Sequence, residues 1–240
     1  MAYDWQNRAT ARPGASADVD TGLRQYMLRV YNYMGAGLAL TGLVAYVAAL
    51  GGQSSFYAAI AHTPLMWLVI LAPLGMVFFL SFRIQQMSLG TAQLSFWIYA
   101  GLVGLSIAGI FFAYTTMSIA STFFITAAMF LATSLYGYTT GRDLSGMGSF
   151  MFMGLIGVII ASVVNMFLHS APLQFAISVI GVIVFTGLTA WDTQRIKEMY
   201  SANDDGTIAG KKAIMGALAL YLDFLNLFLF MLQFMGQRRD

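Results

Sequence analysis

From Ala213 onward the chain reads Ala213-Ile214-Met215-Gly216-Ala217-Leu218-Ala219-Leu220-Tyr221-Leu222-Asp223-Phe224-Leu225-Asn226-Leu227-Phe228-Leu229-Phe230. Apart from Asp223 and Asn226, nothing in this run suits water. Continued to Met235, it is long enough to cross a bilayer's hydrocarbon core as a helix. Asp223 lies 11 residues beyond Lys212, about 16 Å of helix rise, which sets it near the midplane. An aspartate there costs about 2.5–3.5 kcal/mol on insertion scales. Helical spacing aligns Gly216, Ala219, Asp223, Asn226 and Gln233 on one face. A small and polar stripe on an apolar helix faces the bundle interior or a wet cavity. Asp223 is then either a structural residue hydrogen-bonding helices together or a group that handles an ion, a proton or a substrate.

The rest of the chain agrees with a membrane setting. Of 240 residues, 59% are hydrophobic and 9% charged, against about a quarter charged in soluble domains. Apolar runs predict seven transmembrane helices near 28–50, 64–85, 92–114, 117–138, 147–169, 172–194 and 212–235. Turn residues separate them, including Gly51-Gly52, Thr63-Pro64, Gly141-Arg142-Asp143, Ala171-Pro172 and Asn203-Asp204-Asp205-Gly206. The division at 115–116 is the weakest of these boundaries. Residues 1–25 read as a polar, disordered tail, and 26–240 as one seven-helix transmembrane domain.

Ten of the twelve basic residues fall on the tail's side, in the tail itself, at Arg83 and Arg142, and at Arg195, Lys197, Lys211 and Lys212. Only Arg238 and Arg239 fall on the other. By the positive-inside rule the N-terminus is cytoplasmic and the C-terminus outside. Small residues at Gly35, Gly37, Gly42, Gly101, Gly104, Ala108, Gly109, Gly154, Gly157 and Ala161 offer close helix contacts.

Three further polar residues bear on function. Asp192, in Trp191-Asp192-Thr193-Gln194-Arg195-Ile196-Lys197, is either solvated at a helix end, paired with Arg195 at i+3, or a partner of Asp223. Arg83 either snorkels to the interface or serves as counter-ion to an embedded carboxylate. Asn165 reads as a helix–helix hydrogen bond. If Asp192 and Asp223 meet, they cannot both ionise cheaply and would share a proton. Deprotonated, they offer a weak calcium site, with Asn226 as polar support. Calcium takes six to eight oxygens, and a permeation path needs weak binding. Hydropathy leaves a mismatch, because Asp192 lies near the basic edge and Asp223 near the midplane, about 15 Å apart in depth.

Enzymatic chemistry finds no residues. There is no cysteine, and His62 and His169 lie at the far helix ends. Gly104-Leu-Ser106-Ile-Ala108 is a packing segment, not a strand-to-helix nucleophile turn. Every lysine is in one loop. No cofactor and no nucleic-acid partner is expected.

Three segments resemble the Bax inhibitor-1 family in its bacterial branch: Gly137-Tyr-Thr-Thr-Gly-Arg-Asp143-Leu-Ser, Trp191 to Lys197, and Ala217-Leu-Ala-Leu-Tyr-Leu-Asp223-Phe-Leu-Asn226-Leu-Phe. The resemblance implies a central helix wrapped by the others, with Asp192 and Asp223 as the family's aspartate pair and Arg83 as the arginine latched to it. It also implies a pH-sensitive calcium leak across a bacterial inner membrane. The alternative it implies is a non-conducting regulator that binds another membrane protein, such as a membrane AAA protease. Helix 2 departs from calcium-leaking relatives, since Ala72-Pro73 stand where an acidic residue would add to cation permeation.

Overall fold

The computed structural model describes residues 13–239. Among the described residues the chain folds as nine α-helices: α1 (Pro13–Ala49), α2 (Phe56–Ala61), α3 (Leu65–Arg83), α4 (Leu89–Ile107), α5 (Ile110–Ala113), α6 (Thr116–Thr139), α7 (Ser145–Leu168), α8 (Ala171–Glu198) and α9 (Gly206–Met235). Seven spans are long and apolar enough to cross a membrane, with α4 and α5 together making the third. The all-helical seven-span reading holds.

Local chemistry starts and stops these helices. Ser55, Ser88, Thr115, Ser170 and Asp205 each accept a backbone N–H of the first turn through a side-chain oxygen, which satisfies donors that a helix start leaves free. The disputed boundary at 115–116 falls where Thr115 caps α6, and a break at Ala108-Gly109 lies just before it.

Three boundaries differ clearly from the hydropathy reading, one of them the start of α9, at Gly206 instead of 212. α1 reaches back to Pro13, so residues 13–25 of the expected tail belong to a helix, while residues 1–12 lie outside the described residues. α8 runs to Glu198, past the expected end at 194. Its last turn is polar, and those polar groups are used inside the protein, as described below.

α9 is the central helix. Of its most apolar 18-residue window 61% is buried within the protein, against 6% in α3 and 11% in α7. α9 packs on α8, α1, α6 and α4, whereas α7 packs on α8 and α3 on α4. Leu220, Tyr221 and Leu227 of α9 are wholly enclosed. Large apolar side chains such as Trp67, Phe82, Phe124 and Phe167 face outward, as expected where lipid replaces water. Some polar groups in the interior are paired across helices, whereas the Tyr26, Thr122 and Thr126 hydroxyls and Asp223 Oδ2 have no hydrogen-bond partner among the described residues. Thr41 of α1 donates to the Ala100 carbonyl of α4 at 2.9 Å and lies 2.6 Å from the Tyr221 hydroxyl of α9.

Loops cluster at two ends. At the basic end, Lys211 donates to the Gln85 carbonyl at 3.0 Å, Lys197 to the Tyr138 carbonyl at 2.9 Å, and Lys212 pairs with Asp204 at 2.6 Å. At the other end, Gln237 and Arg239 hold the α5–α6 turn: Thr115 N–H donates to the Gln237 carbonyl at 3.1 Å and Arg239 N–H to the Ala113 carbonyl at 3.0 Å.

The α8–α9 register resolves the depth mismatch. A Cβ on Gly216 would stand 2.9 Å from Ile196, and one on Gly181 would stand 2.6 Å from the Phe230 ring. These antiparallel pairings set Asp192 opposite about residue 220, within one turn of Asp223. They also leave the first two turns of α9 overhanging the end of α8. Depth counted inward from Lys212 therefore overstates the separation of the two carboxylates.

Candidate functional site

The stretch Trp191–Lys197 of α8 spends nearly every side chain on a different neighbour. The Trp191 ring packs on Gly148 of α7. Thr193 lies 2.8 Å from Ser134 of α6, which lies 2.6 Å from the Tyr31 hydroxyl of α1. Gln194 accepts the Leu144 N–H and donates to the Arg142 carbonyl, both at 2.8 Å. Ile196 packs on Gly216 of α9. Lys197 holds the end of α6 through the Tyr138 carbonyl. One further contact lies beneath this stretch: Gly137 of α6 meets the Ala190 backbone with no room for a side chain. Six contacts thus fix the rotation and depth of α8 around Asp192.

The Asp192 and Asp223 carboxyls lie within interaction range of each other on facing turns of α8 and α9. A carboxylate only accepts, so a hydrogen bond between them requires a proton on one of the two. Asp223 is buried, 4% exposed, and no N–H or O–H of the described residues donates to its Oδ2. Asp192 is half-buried, and Arg195 is the cation acting on it. The Arg195 guanidinium also lies over the Trp191 ring, 5.5 Å from its centroid, a cation–π placement that fixes the long side chain.

The pair opens onto a cleft of about 940 Å³. α8 and α9 form its floor, and α3 and α7 flank it through Leu74, Val77, Phe152 and Ile159. Its polar lining is Ser162, Gln174, Asp192, Arg195, Asp223, Asn226 and Gln233. Asn226 donates to the Leu222 carbonyl at 2.8 Å and sits one turn from Asp223. The two helices flanking the cleft are those least buried in the protein.

The structure therefore joins Asp192, Asp223, Arg195 and Asn226 in one place. Arg83 is not brought there. It is exposed at the end of α3 and makes no ion pair among the described residues. The cation at the pair is Arg195 instead. No group of three or more His, Cys, Asp or Glu gathers among the described residues. Two carboxyls and one amide fall short of calcium's six to eight oxygens, so any cation here keeps most of its water.

Sequence reasoning missed the roles of Gln194 and Gln174. A scan for embedded charge passes over neutral amides, though an amide in an apolar helix is itself a signal, as Asn165 and Gln233 were. Among the glycines singled out for packing, Gly37, Gly104, Gly109 and Gly154 meet neighbours, while Gly35, Gly42, Gly101 and Gly157 meet nothing within 4 Å.

Comparison with known proteins bears on the same residues. A family model described as "Inhibitor of apoptosis-promoting Bax1" matches residues 23–240. The chain is 50% identical over 221 residues to uncharacterized protein RP147 of Rickettsia prowazekii, covering 92% of this chain and 93% of that one. It is 49% identical over 222 residues to inner membrane protein YbhL of Escherichia coli K12, covering 91% and 94%. An uncharacterized membrane protein of Streptococcus pyogenes is 35% identical over 219 residues, covering 91% and 95%.

Proposed function

Since this chain belongs to the Bax inhibitor-1 family of membrane proteins, we propose that it is a pH-sensitive cation leak of the bacterial inner membrane, gated by the Asp192–Asp223 pair. The observation that carries the reading is the meeting of two membrane-embedded carboxyls at the floor of a cleft lined by further polar groups. With one proton shared, the pair ties α8 to α9. Loss of that proton leaves two like charges side by side in a poorly polar site, an arrangement relieved by separation or by taking up a cation. Flux then rises with pH. Calcium is the cation proposed, bound weakly through the two carboxylates, Asn226 and retained water, since tight binding would trap it.

Arg195 limits the repulsion and sets where the last proton leaves. The basic end faces the cytoplasm in this proposal, following the lysine and arginine bias. That places the pair nearer the cytoplasmic mouth. No covalent chemistry is proposed.

The test is calcium flux into proteoliposomes across a pH series. Wild-type protein passes calcium with flux rising toward alkaline pH, and Asp192→Asn and Asp223→Asn abolish that pH dependence. Unchanged flux profiles in both variants sink the gate. Absence of flux in the wild type sinks the leak and favours the non-conducting regulatory reading.

A further inference from the structure

The cleft has a second polar end. There a relay of amides crosses α7, α8 and α9. The Ser170 N–H donates to Asn165 Oδ1 at 3.0 Å, Asn165 Nδ2 donates to Gln174 Oε1 at 3.0 Å, and Gln174 Nε2 donates to Gln233 Oε1 at 2.6 Å. The Ser178 hydroxyl reaches the same Gln233 oxygen at 3.4 Å. Asn165 is 8% exposed. Its position fixes Gln174, so the relay is anchored in the protein at its Asn165 end, while Gln233 at the other end is exposed.

Gln174 and Gln233 line the cleft that Asp192 and Asp223 line. Gln233 lies ten residues past Asp223 on α9, about 15 Å of rise, and Gln174 lies eighteen before Asp192 on α8, about 27 Å. The amide bridge and the acid pair therefore stand at opposite ends of one cleft. Beside the bridge, Phe175 and Phe234 already join the same two helices, with ring centroids 5.6 Å apart. Helix-to-helix adhesion at this level does not need glutamines. A neutral amide pair offers something the rings do not. Its hydrogen bond is weak enough to open thermally, and its oxygens can then replace part of a cation's water.

We propose that the Gln174–Gln233 bridge is a second closure of the cleft, in series with the acid pair, which a passing cation opens and whose amide oxygens it then meets. The proposal rests on the reading of the cleft as the permeation path.

The chain has no cysteine, so a single introduced thiol reports cleanly. Leu229 lines the cleft between Asn226 and Gln233. In full-length protein in proteoliposomes, Leu229→Cys is treated with a charged, membrane-impermeant thiol reagent added on the side of Arg238. Combining it with Gln233→Leu or Gln174→Leu raises the modification rate about tenfold, the factor that one neutral hydrogen bond corresponds to. An unchanged rate in both combinations overturns the closure. A purely structural clamp instead lowers the unfolding temperature of the glutamine variants and leaves the thiol rate alone. In flux assays the same variants leak faster without moving the pH midpoint. If wild-type protein passes no cation, the leak reading fails, and the thiol rates still decide whether the bridge closes the cleft.

Discussion

Arg195 lies over the face of Trp191, its Cζ 5.5 Å from the ring centroid, while the same guanidinium acts on the Asp192 carboxyl. An indole that is itself wedged against Gly148 thus holds the cation that acts on the acid pair. Removing that cation by Arg195→Gln makes the last proton harder to lose. The pH midpoint of flux moves upward by about one unit, the low end of what a neighbouring charge does. Arg83→Gln leaves the midpoint in place, because Arg83 stands away from the pair. Parallel flux titrations of the two variants check this.

Gln194 closes the α6–α7 turn with both ends of its amide. Gln194→Leu leaves the buried Leu144 N–H and the Arg142 carbonyl without partners, at a cost of about 1–3 kcal/mol. The expected outcome is faster amide hydrogen exchange and faster proteolysis at residues 140–145, together with a lower unfolding temperature in detergent.

Two glycine substitutions separate contact from open space. A Cβ at Gly137 collides with the Ala190 backbone of α8, which cannot swing aside. Gly137→Ala is expected to destabilise by about 1–3 kcal/mol and to disturb the Asp192 site two residues away. Gly157→Ala meets nothing within 4 Å and stays within about 0.5 kcal/mol of wild type. Denaturant unfolding of the two variants in the same detergent checks the contrast.

Asp143 provides a control for the pH response. Its Oδ1 accepts the Ser145 N–H at 2.8 Å at the start of α7, and the contact with Ser145 holds the carboxyl below its ordinary range. A lowered carboxyl contributes its full stabilisation above the unfolded value of about 3.9 and loses it as pH falls through the folded value. That window is acidic, far from neutrality. Asp143→Asn therefore leaves the flux–pH profile unchanged between pH values of about 6 and 8.

Hydropathy was enough to find all seven spans, because each is a long apolar run, and the resemblance carried by Asp223, Asn226 and the Trp191–Lys197 segment pointed to residues that the fold brings to one cleft. Depth was not legible. Hydropathy ends α8 at Gln194, since Gln194, Arg195 and Lys197 look like solvated residues. In the fold Gln194 and Lys197 are consumed by the α6–α7 turn and the Tyr138 carbonyl, so the helix continues to Glu198. The overhang of α9 was equally hidden, because it depends on which residues of α8 and α9 face each other. Arg83 shows the converse limit. Its position at the end of an apolar helix suits a latch, but Arg83 is exposed, makes no ion pair among the described residues and is absent from the cleft lining.

α9 is synthesised after every helix it touches, yet it is the most enclosed of them. The six spans that precede it therefore reach their final packing only when α9 joins them. Asp223 enters the bilayer as part of that last helix, and the group that meets it, Asp192, is already in place on α8. The aspartate of α8 thus stands where the arriving helix brings its own carboxyl, so the packing of α9 and the meeting of the two acids are one event.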